Sequence, residues 1–307
     1  MTRLADFMAA DLARQDLPPG VERLAEAIIT RHGAAVRAIV LYGSCRRKTD
    51  ASEGLVDLLV LVSSYRQVHG FGPTALLNRL LPPNVYYLET DDGDPRLRCK
   101  YAIVSERHFS RLCRQPGDRY FWARFSQPAR LIVDHGVGDR VAVARAEAAV
   151  TFARACQPLI SEVADAETFW THAIRTSYGC ELRPESPAAA RTLVEHDPEY
   201  WRALTAVLVS SKILPGDDAG RVQPGAGRFG RVLTRLGWAR RRVGGKITNL
   251  GRLFKAAGTF TNGIDYLLWK VERHSGVRVE PTDRMRRHPR LAAWGLAWRL
   301  WRQGAFR

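Results

Sequence analysis

The sequence predicts an α/β (α+β) fold: a mixed sheet with helices over residues 1–138, a mostly helical stretch over 139–220, and a basic amphipathic helical extension over 221–307. Extended apolar runs alternate with helical spacing as far as Val133, which is the pattern of strands interleaved with helices. From about Asp139 only helical periodicity remains, rich in Ala. Gly, Pro and Asp then concentrate between Pro215 and Gly230, the best candidate linker.

The elements follow in order. Leu4 to Leu12 and Val21 to Arg31 have helical spacing, with Pro18-Pro19-Gly20 as the break between them. Two strands, Val36 to Tyr42 and Leu55 to Val62, flank a polar loop. Thr74 to Leu81 reads as a helix ended by Pro82-Pro83, because the residue before a proline is driven out of the α region. Val85 to Leu88 and Arg98 to Val104 predict a hairpin around Asp91-Asp92-Gly93-Asp94. A helix over Ser105 to Arg114 and a strand over Arg130 to Val133 complete the α/β unit. The helical part breaks at Pro158 and around Gly179 to Pro187, and Ile247, Leu250, Phe254, Ala257, Ile264, Leu268 and Val271 form one helical stripe beyond the linker.

Composition narrows the function. A 46% hydrophobic share over 307 residues is that of a folded protein. No apolar run reaches the roughly 18 to 20 residues that span a bilayer. The amino terminus lacks a signal peptide's apolar centre and carries Asp6, Asp11 and Asp16, so a bacterial cytoplasmic location is expected. The five cysteines show no paired spacing, and a disulfide framework or zinc site is not expected. The net charge of +16 lies wholly in residues 221–307, which carry 20 Lys and Arg against four acids. An anionic partner, nucleic acid or lipid surface, is expected there.

The chemistry-bearing stretch is Val36 to Val62: an apolar strand, Gly43-Ser44, the basic residues Arg46, Arg47 and Lys48, and a second strand carrying Asp57. A tight Gly-Ser turn lets backbone N–H groups approach a triphosphate, and a nearby carboxylate can hold its Mg²⁺. An ionised Asp57 inside an apolar strand is costly unless a metal or exposure at the strand's face relieves it. Gly43 and Ser44 are thus candidate phosphate binders, with Arg46, Arg47 and Lys48 either partners of the β and γ phosphates or a solvated basic loop. The polymerase-β-type nucleotidyltransferases carry Asp-x-Asp on the second strand, but Leu55 occupies the earlier position here.

Tyr42-Gly43-Ser44-Cys45 and Leu55-Val56-Asp57-Leu58 resemble the YGSG and single-Asp strand of the mitochondrial translocator-assembly-and-maintenance family of phosphatidate cytidylyltransferases and its bacterial relatives, with Cys45 for Gly. Further similar segments follow in order: Val85-Tyr86-Tyr87, Lys100 to Ser105, Ala123-Arg124-Phe125 with Pro128, Ser177 to Arg183, and Leu253 to Gly258. The resemblance implies a nucleotidyltransferase fold and Mg²⁺-dependent conversion of CTP and phosphatidate to CDP-diacylglycerol and pyrophosphate. It implies Asp57 and Lys100 as catalytic residues, and Arg124, Tyr178 and Arg183 at the CTP phosphates. Glu181 and Glu89 are the candidates to join Asp57 at the metal. A surface ion pair is the alternative for Glu181 and Arg183, and an edge lysine for Lys100.

Phosphatidate stays in a bilayer, and the tail suits that acceptor. Over Arg284 to Arg302, helical spacing aligns Leu291, Trp294, Trp298 and Trp301, with Arg302 at the stripe's edge and Arg299 off it. Tryptophan and arginine on an amphipathic helix characterise an interfacial anchor, so a peripheral position on the inner face of the cytoplasmic membrane is expected. The alternatives are packing of this helix on the protein's own core, a nucleotidyltransferase acting on RNA or a small acceptor, and a non-catalytic relative that binds lipid or partners.

Overall fold

A computed structural model describes residues 1–47, 51–90, 97–115, 119–181 and 188–259. Its helices and strands run α1 (Thr2–Leu12), α2 (Val21–His32), β1 (Val36–Tyr42), β2 (Val56–Val62), α3 (Tyr65–His69), α4 (Pro73–Leu80), β3 (Asn84–Glu89), β4 (Arg98–Ser105), α5 (Glu106–Arg114), α6 (Arg119–Phe125) and β5 (Arg130–Asp134). There follow α7 (Gly138–Cys156), α8 (Ala166–Tyr178), α9 (Ala189–Glu195), α10 (Pro198–Ser210) and α11 (Arg228–Thr259). The predicted elements up to residue 134 are all present, within a residue or two at their ends. The predicted turn Asp91 to Asp94 and the terminal stripe of Leu291, Trp294, Trp298 and Trp301 lie outside the described residues.

The strands form one mixed sheet in the order β3-β4-β2-β1-β5. Only β2 and β4 pair in parallel; the other neighbours are antiparallel. β1 and β2 are nearly continuous apolar runs because they sit in the middle with both faces covered. β3 is half-buried at the edge, where its tyrosines present an apolar ring and a polar tip. The register aligns Tyr42, Asp57, Lys100 and Tyr87 in one row across four strands. Side chains alternate between faces, so this row shares its face with Leu59, Leu61, Ala102 and Val104.

That face carries the larger core. It runs unbroken from Leu4 and Met8 of α1, through Leu59, Leu61 and Val104, to Phe152 of α7, Trp170 of α8, Trp201 of α10 and Trp238 of α11. The helical half therefore shares its core with the sheet. Trp170 and Trp201 pack at 4.9 Å, and the Trp170 indole donates to Thr205 Oγ1 at 2.9 Å. Each large apolar side chain so buried contributes roughly 1.5–3 kcal/mol. The opposite face is covered by Leu24 and Ile28 of α2, over Ile39, Leu41, Leu58, Val60 and Ile103.

The segment read as a linker is packed down. Val222 is buried, it forms a β-bridge with Ala164, and the Gln157 amide donates to the Gln223 carbonyl at 2.7 Å. Gly and Pro therefore serve as turn residues here. Beyond them α11 places Trp238 and Lys255 inward, with the Lys255 ammonium donating to the carbonyls of Leu81 and, at 2.8 Å, Pro83. Its opposite side, including Val232, Leu236, Val243, Ile247 and Leu250, is exposed.

A buried and a half-buried imidazole favour the fold in their neutral form. His108 Nδ1 meets the Tyr65 hydroxyl at 2.8 Å, and its Nε2 accepts from Arg111 at 2.7 Å, a role open only to the neutral ring. Burial, aided by the Arg111 and Arg79 charges, lowers its pKa to about 4. Burial, followed by Arg31 and His69, does the same to His32, which meets the Tyr101 hydroxyl at 3.1 Å. Unfolded imidazoles titrate near 6.5. As pH falls from about 6.5 towards 4 the unfolded chain binds more protons, so stability is lost through that window. Urea midpoints are expected to fall between neutral pH and about pH 4.5, and to fall less steeply in His108→Gln; parallel slopes would remove His108 as a cause.

Candidate active site

Three strands meet a helical wall at one end of the central row. Tyr42 ends β1, Asp57 lies near the start of β2 and Lys100 near the start of β4, and all three line a cleft of about 340 Å³. Gly43 and Ser44 form its lip, while Tyr120 and Arg124 of α6, Tyr178 at the end of α8, and Thr192 of α9 close the other side.

Gly43 is required twice over. Its φ of +81° lies in the left-handed region, and a Cβ there would sit 3.2 Å from Asp57 Oδ2. The Gly-Ser turn thus lies directly against the Asp57 carboxylate. The other carboxylate oxygen, Oδ1, is 2.8 Å from Lys100 Nζ. Both side chains remain partly exposed to the cleft, which relieves the desolvation that an ionised aspartate inside β2 would otherwise suffer. Cys45, the next residue but one along the turn, is buried in the core beneath the opposite sheet face and does not line the cleft.

Arg124 is held from two directions. Its guanidinium makes a bidentate pair with Glu181 at 2.8 and 3.1 Å and stacks 3.7 Å over the Tyr120 ring. Burial alone would lower its pKa, but the interactions with Tyr120 and with the Glu181 carboxylate outweigh burial and hold it well above its ordinary value. Tyr42 shifts in the same direction. Burial first, then Tyr120 and Asp57, keep its phenol protonated far beyond the usual range.

The cleft therefore brings together Gly43, Ser44, Asp57, Lys100, Arg124 and Tyr178. Arg46 lies elsewhere: it is buried and pairs with Asp197 at 2.6 Å, tying the 3₁₀ turn Ser44–Arg47 to the start of α10. Glu181 is the counter-ion of Arg124. Glu89, one row away on the same sheet face, accepts from Tyr87 at 3.0 Å and Arg98 at 3.2 Å and does not line the cleft. Lys48, Arg183, Trp294, Trp298, Trp301, Arg299 and Arg302 lie outside the described residues, as does the side chain of Arg47.

Compared with protein-family models and with curated proteins, the chain matches none.

Among the described residues no group of three or more His, Cys, Asp or Glu converges as a metal cage. The donor set nevertheless suits Mg²⁺, which is commonly held by one or two carboxylates together with substrate phosphates and water. Asp57, flanked by the Gly43-Ser44 turn, supplies the carboxylate and the room for phosphates beside it. Tyr120, Gln127 and Thr192 were missed as cleft residues. Tyr120 had a signal, since it precedes Arg124 by four and so shares its helix face. Thr192 had none, because α9 reaches the cleft through tertiary packing alone.

Proposed function

We propose that the protein is a Mg²⁺-dependent nucleotidyltransferase of the polymerase-β type, and specifically a phosphatidate cytidylyltransferase making CDP-diacylglycerol and pyrophosphate from CTP and phosphatidate. The observation that carries the reading is the juxtaposition of the Gly43-Ser44 turn, the Asp57–Lys100 pair and Arg124 around one cleft. The ordered motif resemblance adds the base and the acceptor.

In this reading the Ser44 N–H and hydroxyl donate to the CTP phosphates, and Gly43 allows their close approach. Lys100 and Arg124 offset charge on the pyrophosphate as it leaves, and the walls from α6, α8 and α9 orient the two reactants for in-line attack. A phosphatidate oxygen forms the new bond to the α-phosphorus as the bond to the β-phosphate oxygen breaks. Mg²⁺, bound by Asp57 with the CTP phosphates, would supply further neutralisation of the triphosphate charge. A phosphate monoester has a second pKa near 6, so this acceptor arrives ionised and needs no general base. A hydroxyl acceptor would need one, and the carboxylate lining the cleft, Asp57, is already paired with Lys100.

No helix among the described residues is long and apolar enough to cross a membrane. The exposed apolar side of α11, with Arg240 and Lys246 beside it, supports peripheral attachment to an anionic bilayer. The deciding experiment incubates the protein with each of the four labelled nucleoside triphosphates, Mg²⁺ and phosphatidate vesicles. Label from CTP alone is expected in the lipid phase. Label in a water-soluble acceptor, or none in lipid from any nucleotide, would overturn the assignment.

A further inference from the structure

A second pocket, of about 290 Å³, opens between the segment after α7, α8 and α11, and it shares no lining residue with the cleft. Its walls are fixed. Trp238 is buried, with its indole N–H donating to the Ala155 carbonyl at 3.0 Å, and the Thr176 hydroxyl donates to the His172 carbonyl at 2.8 Å. Into this space α8 contributes His172 and Thr176, one turn apart, while α11 contributes Arg235 and Arg242 from the face that carries Trp238.

The charge there is one-sided. Among the described residues no carboxylate lines the pocket, and neither Arg235 nor Arg242 has an acidic partner. Both are exposed at the pocket's mouth, unlike Arg46, Arg124, Arg130 and Arg145, which are buried or nearly so and are each paired. Partial burial, followed by the Arg175 and Arg235 charges, lowers the pKa of His172, as a cationic enclosure should. Guanidinium groups present planar forks that match phosphate oxygens. The volume stands at the low end of small-molecule sites, roughly 300–1,000 Å³, which suits a phosphate group with its water better than a nucleotide.

We propose that the pocket formed by His172, Thr176, Arg235 and Arg242 is a phosphate-binding site separate from the cleft, taking a free phosphate or the phosphomonoester headgroup of a lipid. It does not depend on the proposed activity. The full-length protein is titrated with inorganic phosphate by calorimetry, with the His172 ring resonance followed by NMR. It is also sedimented with phosphatidylcholine vesicles carrying either phosphatidate or phosphatidylglycerol at equal charge.

Saturable phosphate binding that moves the His172 resonance is expected. The double variant Arg235→Ala/Arg242→Ala should weaken it about tenfold or more, whereas Arg240→Ala and Asp57→Asn should leave it unchanged. Preferential sedimentation with phosphatidate that the double variant loses and inorganic phosphate competes away would identify the lipid headgroup as ligand. Phosphate binding without that preference would identify free phosphate. Absence of saturable binding in both arms would overturn the site, as would an equal loss in Arg240→Ala, since only diffuse helix charge would then be acting.

Discussion

Replacing Asp57 with Asn is expected to lower pyrophosphate release from CTP, in the presence of phosphatidate vesicles and Mg²⁺, by about 10²–10³-fold or more. That is the usual consequence of removing one preorganised electrostatic partner of a transition state. Asn keeps the size of the side chain and the contact beneath Gly43, so the loss would report charge and not packing. It also leaves Lys100 without its counter-ion at 2.8 Å, and Lys100→Met combined with Asp57→Asn separates the two effects. If the double variant is no worse than Asp57→Asn, the residues act as a unit. Unchanged turnover in Asp57→Asn would sink the assignment of the cleft. Glu89→Gln belongs in the same series, because a comparable loss there would make Glu89 the second carboxylate despite its pairing with Arg98.

The largest stability effect is expected far from the cleft, at Asp11. Its carboxylate accepts from Arg130 at 2.8 Å and from Arg145 at 2.7 Å, and both arginine side chains are fully buried. The same carboxylate accepts from the Ala129 backbone N–H at 3.0 Å, and Arg145 reaches the Phe125 and Gln127 carbonyls. One aspartate on α1 thus holds β5, α7 and the approach to the sheet. Removing one partner of a buried pair costs about 3–5 kcal/mol, because the remaining charges are left uncompensated. Asp11→Ala should cost at least that, from a total that for a domain is roughly 5–15 kcal/mol. Asp16 pairs with Arg130 too, but its side chain is half exposed. Asp16→Ala should therefore cost far less, and denaturant midpoints of the two variants compared with wild type test the ranking. Equal costs would show that Arg130 is satisfied equally well from either side.

The residues that were easiest to read are those whose environment is local. β1 and β2 are recognisable because a strand covered on both faces must be apolar throughout, and Gly43 because a Gly-Ser turn after such a strand lets backbone N–H groups approach phosphates. Lys100 is a candidate through the motif resemblance, yet its partner is not legible in the sequence. Asp57 and Lys100 become neighbours only through the parallel pairing of β2 with β4, which no local spacing encodes. Arg46 shows the reverse case. Its place beside Gly43 and Ser44 suggested a phosphate partner, but a turn of the chain sends it to Asp197. Periodicity likewise aligned Ile247 and Leu250 without telling whether anything covers them, and on α11 they face outward.

By itself the sequence determined the order of the strands and of α1, α2, α4 and α5, the Gly43-Ser44 turn, the carboxylate on the strand beyond it, and the concentration of charge in residues 221–307, but not α3 or α6. Those follow from side-chain alternation, backbone conformational limits and composition, each of which acts over a few residues. Tertiary structure alone decided that the helical half shares one core with the sheet, that Arg124 and Glu181 meet, and that Tyr120 and Thr192 join the cleft. It also decided that His172 faces Arg235 and Arg242 across a separate pocket. These pairings depend on how whole faces bury against one another, and the free energy of that burial belongs to the assembled surfaces and not to any one segment.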